Sequence, residues 1–131
     1  MEHRISELMK IARPKRLQYN SGDLAFQTVS GANTGRKITL LRNLSEEEFR
    51  EHLRRSNDPA RRYIVNFSRE RIFGAGVGHH SPIGGYLENE DLVFILDVNS
   101  DFQPWLVERT RLFAAVDTLD GDKKRGLLLI E

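Results

Sequence analysis

"GAGVGHHSPIGGYLENEDLVFILDV", Gly74 to Val98, reads as a β-hairpin with a charged group at the end of its apolar strand. The first strand runs from His79 through Tyr86-Leu87, the polar segment Glu88-Asn89-Glu90-Asp91 makes the turn, and Leu92 to Val98 returns as a buried strand. Asp97 closes that apolar run, and a carboxylate there is costly to bury unless something pairs with it. An adjacent strand carrying His79 or His80 offers the partner. A histidine backed by a carboxylate is a base with its orienter: the carboxylate fixes the tautomer, and the other ring nitrogen is left to take a proton from a nucleophile. Counting outward from the 88–91 turn sets Asp97 opposite Pro82, and by parity on the face of His80. Pro82 has no N–H for a ladder and Gly84-Gly85 marks a bulge site, so one extra residue there flips the parity toward His79. The residue pattern leaves both assignments open.

The glycines before the histidines do not make a phosphate loop. Gly74-Ala75-Gly76-Val77-Gly78 lacks the dinucleotide spacing, has no Lys-Ser/Thr ending and precedes a strand, so it reads as a tightly turning approach to His79. His79 and His80 are strand neighbours that point to opposite faces, and His3 and His52 complete no ligand spacing, so no metal site is expected from this chain. Ser81 is an unactivated hydroxyl on the same strand and a weak candidate nucleophile.

Outward from the hairpin, Ile5, Leu8, Met9 and Ile11-Ala12 recur at helical spacing until Pro14. Leu24 to Val29 and Lys37 to Leu41 read as strands of a second hairpin around Ser30 to Gly35. Ser45-Glu46-Glu47-Glu48 is a capping box opening a helix that buries Phe49 and Leu53 and breaks at Asn57-Asp58-Pro59. Tyr63 to Phe67 reads as a buried strand interrupted by the polar Asn66. After Pro104 and Trp105, Arg109 to Leu119 fits a helix burying Leu112, Phe113 and Val116, and Gly126 to Ile130 a last strand. Strands and helices mix without regular βαβ alternation, which predicts an α+β fold in a single domain over residues 1–131.

Lys and Arg number 20 against 19 Asp and Glu, a formal net charge of +1 that points to neither nucleic acid nor a membrane surface. No run approaches the roughly 18 apolar residues of a spanning helix and the start lacks a signal-peptide core, so a soluble intracellular chain is expected. There is no cysteine, which removes disulfides and any thiol nucleophile from what this chain supplies.

The stretch from Gly76 to Val98 resembles the phytochelatin synthases, whose motif runs Gly-x-Gly-His-x-Ser-Pro-Ile-Gly-Gly-Tyr and continues to Leu-Asp-Val. The similarity extends upstream through Tyr63 to Arg69 and downstream to Asp120 and Lys124-Arg125-Gly126. It implies a papain-like fold, of which this chain is the C-terminal lobe. It also implies a Cys-His-Asp triad that releases glycine from glutathione and transfers the γ-glutamylcysteinyl group, with heavy-metal ions such as Cd or Zn as activators and a cytoplasmic setting. By position, the resemblance makes His79 the base, with His80 at a variable apolar position, and Asp97 the acid. It assigns Asn66, Asp120 and Arg125 to the charged ends of the γ-glutamyl group. The family cysteine lies far upstream of its histidine, and no cysteine precedes His79. The segment Asn99 to Pro104 is shorter than the family's and lacks its two basic residues. The implied activity is therefore acyl transfer in which a cysteine-bearing N-terminal half comes from elsewhere. The alternative is a noncatalytic glutathione- or protein-binding module that self-associates or holds a partner.

Overall fold

The computed structural model describes residues 35–131. The helix predicted before Pro14 and the strand predicted at 24–29 lie outside them. The described elements are β1 (Ile38–Arg42), α1 (Glu46–Arg55), β2 (Arg62–Ser68), α2 (Arg69–Phe73), β3 (Gly78–Leu87), β4 (Leu92–Ile95), β5 (Trp105–Glu108), α3 (Arg109–Val116), β6 (Leu119–Asp120), β7 (Lys123–Lys124) and β8 (Gly126–Ile130). Six strands form one antiparallel sheet in the order β1-β8-β2-β3-β4-β5, and β6 and β7 make a separate ribbon. This is an α+β architecture.

Strand alternation divides the core. Tyr63, Val65 and Phe67 of β2 and Leu127 and Leu129 of β8 join Phe49, Leu53, Ile72, Leu112, Ala115 and Val116 from the three helices in one cluster. Ile64, Leu128 and Ile130 point the other way, with Ile38 and Leu40 against them. Helix α1 begins as predicted: Glu48 N–H donates to Ser45 Oγ (3.1 Å) and Ser45 N–H to Glu48 Oε1 (2.8 Å). Such a cap is worth about 1 kcal/mol. Burying Phe49 and Leu53 completely contributes about 1.5–3 kcal/mol each, so the core rather than the cap decides where α1 sits.

Two predicted elements end early. The strand expected to reach Val98 stops at Ile95; Leu96 N–H still donates to Pro82 O (2.9 Å), and then Asp97 turns the chain by accepting from Asn99 N–H (3.0 Å). The helix expected to reach Leu119 stops at Val116, because Thr118 is drawn into bonds with Ala115 and Arg125 and the chain enters β6. Phe113 is only partly buried. Pattern reading also missed β5, the β6–β7 ribbon and the five-residue α2, which is too short to show a helical period.

The hairpin of β3 and β4 carries a bulge at Gly84: Gly85 opposes Phe94, whereas Ile83 opposes Ile95. A Cβ on Gly84 would stand 2.8 Å from the Phe94 ring and 3.0 Å from Leu96, so only glycine fits. Beyond the bulge, β3 has run past the start of β2, and the Asn57 side chain takes the missing strand's place. Its Nδ2 donates to Tyr86 O and its Oδ1 accepts from Tyr86 N–H, both at 2.9 Å. The residues that break α1 thus also close the open edge of β3.

Two measurements test this frame. Gly84→Ala is expected to destabilise the chain by about 1–3 kcal/mol in urea denaturation, as overpacking does, and a neutral result contradicts the close approach. His52 lies on α1 with its Nδ1 hydrogen-bonded to the Tyr63 hydroxyl at 2.7 Å, and burial lowers its pKa. A base that is harder to protonate folded than unfolded gives stability that is full above the unfolded value near 6.5 and declines as pH falls below it. The urea midpoint should therefore fall between about pH 7 and 5, less steeply in His52→Gln.

Candidate active site

The bulge decides which histidine meets Asp97. With one extra residue at Gly84, the face of Asp97 becomes that of His79, whose Nε2 lies 3.5 Å from Asp97 Oδ1. His80 pairs with Asn66 of β2 and faces the other side of the sheet.

The Asp97 side chain is fully buried and ringed by donors. Its Oδ1 accepts from Arg69 Nη2 (2.8 Å) and from Asn99 N–H (3.0 Å), and its Oδ2 from the Trp105 indole N–H (2.8 Å). Burial pushes this carboxyl up, but His79, Arg69, Trp105 and the Asn99 amide together overcome that and hold it well below the usual carboxylate range. The His79 approach is the longest of the four: Arg69 and Asn99 already occupy Oδ1, and the buried Nε2 stands at 3.5 Å without a formed hydrogen bond. The His79 ring stands edge-on to Phe67, and Trp105 and Phe73 extend the aromatic wall. With Nε2 turned toward Asp97, Nδ1 is the ring nitrogen left for proton transfer.

On the opposite face of β3, one residue away, a pocket of about 280 Å³ is lined by Asn66, Val77, Gly78, His80, Asp120 and Arg125. Asn66 Nδ2 donates to Asp120 Oδ2 at 3.4 Å. Arg125 Nη1 is anchored on Thr118 Oγ1 (2.9 Å) and Leu119 O (2.6 Å), while its buried Nε has no partner among the described residues. The guanidinium lies across Gly78, where a Cβ would stand 2.5 Å from Nη2. An exposed carboxylate and an arginine edge side by side suit an amino-acid head group, the one holding an ammonium and the other a carboxylate.

The five residues singled out in the sequence thus form two constellations: His79 with Asp97, and Asn66 with Asp120 and Arg125. Pattern reading missed Arg69, Trp105 and Asn99 around Asp97, and His80 in the pocket. Trp105 follows a proline as the lone tryptophan, a weak signal of a placed side chain, whereas Arg69 in a charged run carried none. Ser81 faces inward and is wholly buried, away from any nucleophilic role. No group of three or more His, Cys, Asp or Glu side chains suited to a metal occurs among the described residues. No helix among them is long and apolar enough to cross a membrane.

An imidazole backed by a buried carboxylate beside a charged pocket is the arrangement of peptidase-like and acyl-transferring sites. A family model described as phytochelatin synthase matches residues 7–127, and the chain belongs to that family. It is 40% identical over 73 residues to glutathione gamma-glutamylcysteinyltransferase 3 of Lotus japonicus, covering 53% of this chain and 15% of the relative. It is 30% identical over 103 residues to glutathione gamma-glutamylcysteinyltransferase 1 of Arabidopsis thaliana, covering 74% and 21%. With the Schizosaccharomyces pombe glutathione gamma-glutamylcysteinyltransferase it shares 27% identity over 111 residues, covering 81% and 27%. The chain thus spans between about a seventh and just over a quarter of these relatives' own lengths.

Asp97→Ala would leave the Arg69 guanidinium buried without its counter-charge. The expected cost is about 3–5 kcal/mol in urea denaturation, and a loss below about 1 kcal/mol would show that the pair is not buried as described.

Proposed function

We propose that this chain supplies the base and the γ-glutamyl pocket of a glutathione-directed acyl-transfer site, with the cysteine nucleophile coming from another segment or polypeptide. One observation carries the reading: Asn66, Asp120 and Arg125 converge in one pocket on the strand that also presents His79 to Asp97. In this reading Asp120 and Asn66 hold the α-ammonium of the γ-glutamyl group and Arg125 its α-carboxylate. His79 Nδ1 takes the thiol proton as sulfur attacks the cysteinyl carbonyl. The same nitrogen returns the proton to the departing glycine amine, leaving a γ-glutamylcysteinyl thioester for water or a second glutathione to resolve. Asp97 keeps the ring in the tautomer this requires. Heavy-metal ions such as Cd or Zn enter as thiolate complexes of glutathione, carried by the substrate. The setting is the cytoplasm, where glutathione is abundant and thiols stay reduced.

The total absence of cysteine favours a second reading, a noncatalytic module that keeps the glutathione pocket or holds a protein partner, another copy of itself included. Calorimetry and a glycine-release assay separate the two. The chain alone should bind glutathione without turnover, and Arg125→Ala or Gly78→Val should weaken binding about tenfold or more, the worth of one charge-assisted pair. Mixing with a cysteine-bearing N-terminal segment of a relative should restore glycine release, and His79→Ala should abolish it. Binding that persists with no restored release points to the module, and turnover by the chain alone contradicts the split arrangement.

A further inference from the structure

Arg69 stands at the junction of β2 and α2 and brings the one permanent positive charge set against Asp97 among the described residues. It is 5% exposed, its backbone N–H donates to Val77 O (3.1 Å), and its Nη2 holds Asp97 Oδ1 at 2.8 Å. The guanidinium carbon lies over the Phe102 ring, 3.7 Å from its centroid, with the Phe67 and Phe73 centroids at 5.5 and 5.8 Å. Stacking of this kind restrains an arginine as well as attracting its charge. Phe102 belongs to the segment after Asp97 that departs from the family pattern, so the same short loop supplies both the Asn99 amide and the ring that presses Arg69 into place.

We infer that Arg69 is a positioning residue, which keeps Asp97 a charged, immobile carboxylate so that its Oδ1 is always presented to His79 Nε2. The inference rests on the reading of His79 and Asp97 as a base and its orienter. A fully buried carboxyl without this cation gains by taking up a proton, and a protonated Asp97 no longer dictates which ring nitrogen of His79 carries hydrogen. Among the described residues, the charged or titratable groups set against Asp97 are Arg69 from α2 and His79 from β3; the remaining donors, Trp105 and the Asn99 amide, are neutral.

The single tryptophan gives a direct reporter, because its indole N–H donates to Asp97 Oδ2. In ¹⁵N-labelled chain, the Trp105 indole signal should stay unchanged from pH 7 down to about pH 3.5. In Arg69→Gln it should titrate at least about one unit higher than in the wild type, the effect of removing an adjacent opposite charge. Arg69→Lys, which restores a cation, should return the signal toward wild-type behaviour, and the His79 ring signals should follow the same order through their position against Phe67. A flat titration in Arg69→Gln, or one that Arg69→Lys does not correct, overturns the inference. Should Arg69→Gln fail to fold, Phe102→Ala keeps the cation but unstacks it; an upward shift of the same signal supports the inference and an unchanged titration overturns it. These readouts involve no turnover, so they stand or fall separately from the restoration of glycine release.

Discussion

A single unpaired residue at Gly84 sets which side chains of β3 face which layer of the molecule. Side chains alternate along a strand, so one added residue reverses the correspondence between the two arms of the hairpin beyond it. Without the bulge, Asp97 would share a face with His80 and look toward the pocket. With it, Asp97 shares a face with His79 and turns toward α2 and the aromatic wall. The constraint is enforced from two sides: Phe94 and Leu96 leave no room for a Cβ at Gly84, and Asn57 satisfies the Tyr86 backbone where β2 no longer reaches.

The reversed register brings a cost, since it sends a carboxylate into the interior. The structure meets that cost with donors of different origin: an arginine from α2, an indole from β5, a backbone amide from the turn after Asp97, and an imidazole from β3. Their sum outweighs desolvation and keeps the group ionised. Because Arg69 and Asn99 already hold Oδ1, His79 Nε2 stays at 3.5 Å, close enough for electrostatic attraction but without a formed hydrogen bond. The pocket on the other face follows a different principle. There Arg125 is tied at one nitrogen to the end of α3 and laid over bare backbone at Gly78, an exposed site with opposite charges side by side.

Most of the architecture was legible in the sequence. The capping box at Ser45, the apolar runs of β2, β4 and β8 and the turn at 88–91 are local signals, and the structure follows them. The bulge site was legible at Gly84-Gly85, but its occupancy was not, because that depends on the side chains of Phe94 and Leu96 across the hairpin. The strand end at Ile95 is set by the local turn in which Asp97 accepts from the Asn99 amide, and the helix end at Val116 by bonds from Arg125 to Thr118, neither of which a period encodes. Of the site, the family pattern named residues that the fold gathers into two groups. It was silent on Arg69, since an arginine in a charged run looks like a solvated one until the loop carrying Phe102 folds over it.

His79 and His80 stand side by side in the chain yet serve different faces, and that separation bears on how such a site changes over evolutionary time. Before the bulge, Gly78 and His80 face the pocket while His79 faces Asp97 and Ser81 and Ile83 the interior; past it the parity is reversed, with Tyr86 in the core and Leu87 exposed. A lineage can exchange the residue at 80, altering the shape and polarity offered to a ligand, without disturbing the imidazole next to it. An insertion or deletion anywhere between Pro82 and the turn has no such freedom, since it exchanges the two roles at once. Point substitution is therefore the open route to new ligand preference in this hairpin, and length variation the closed one.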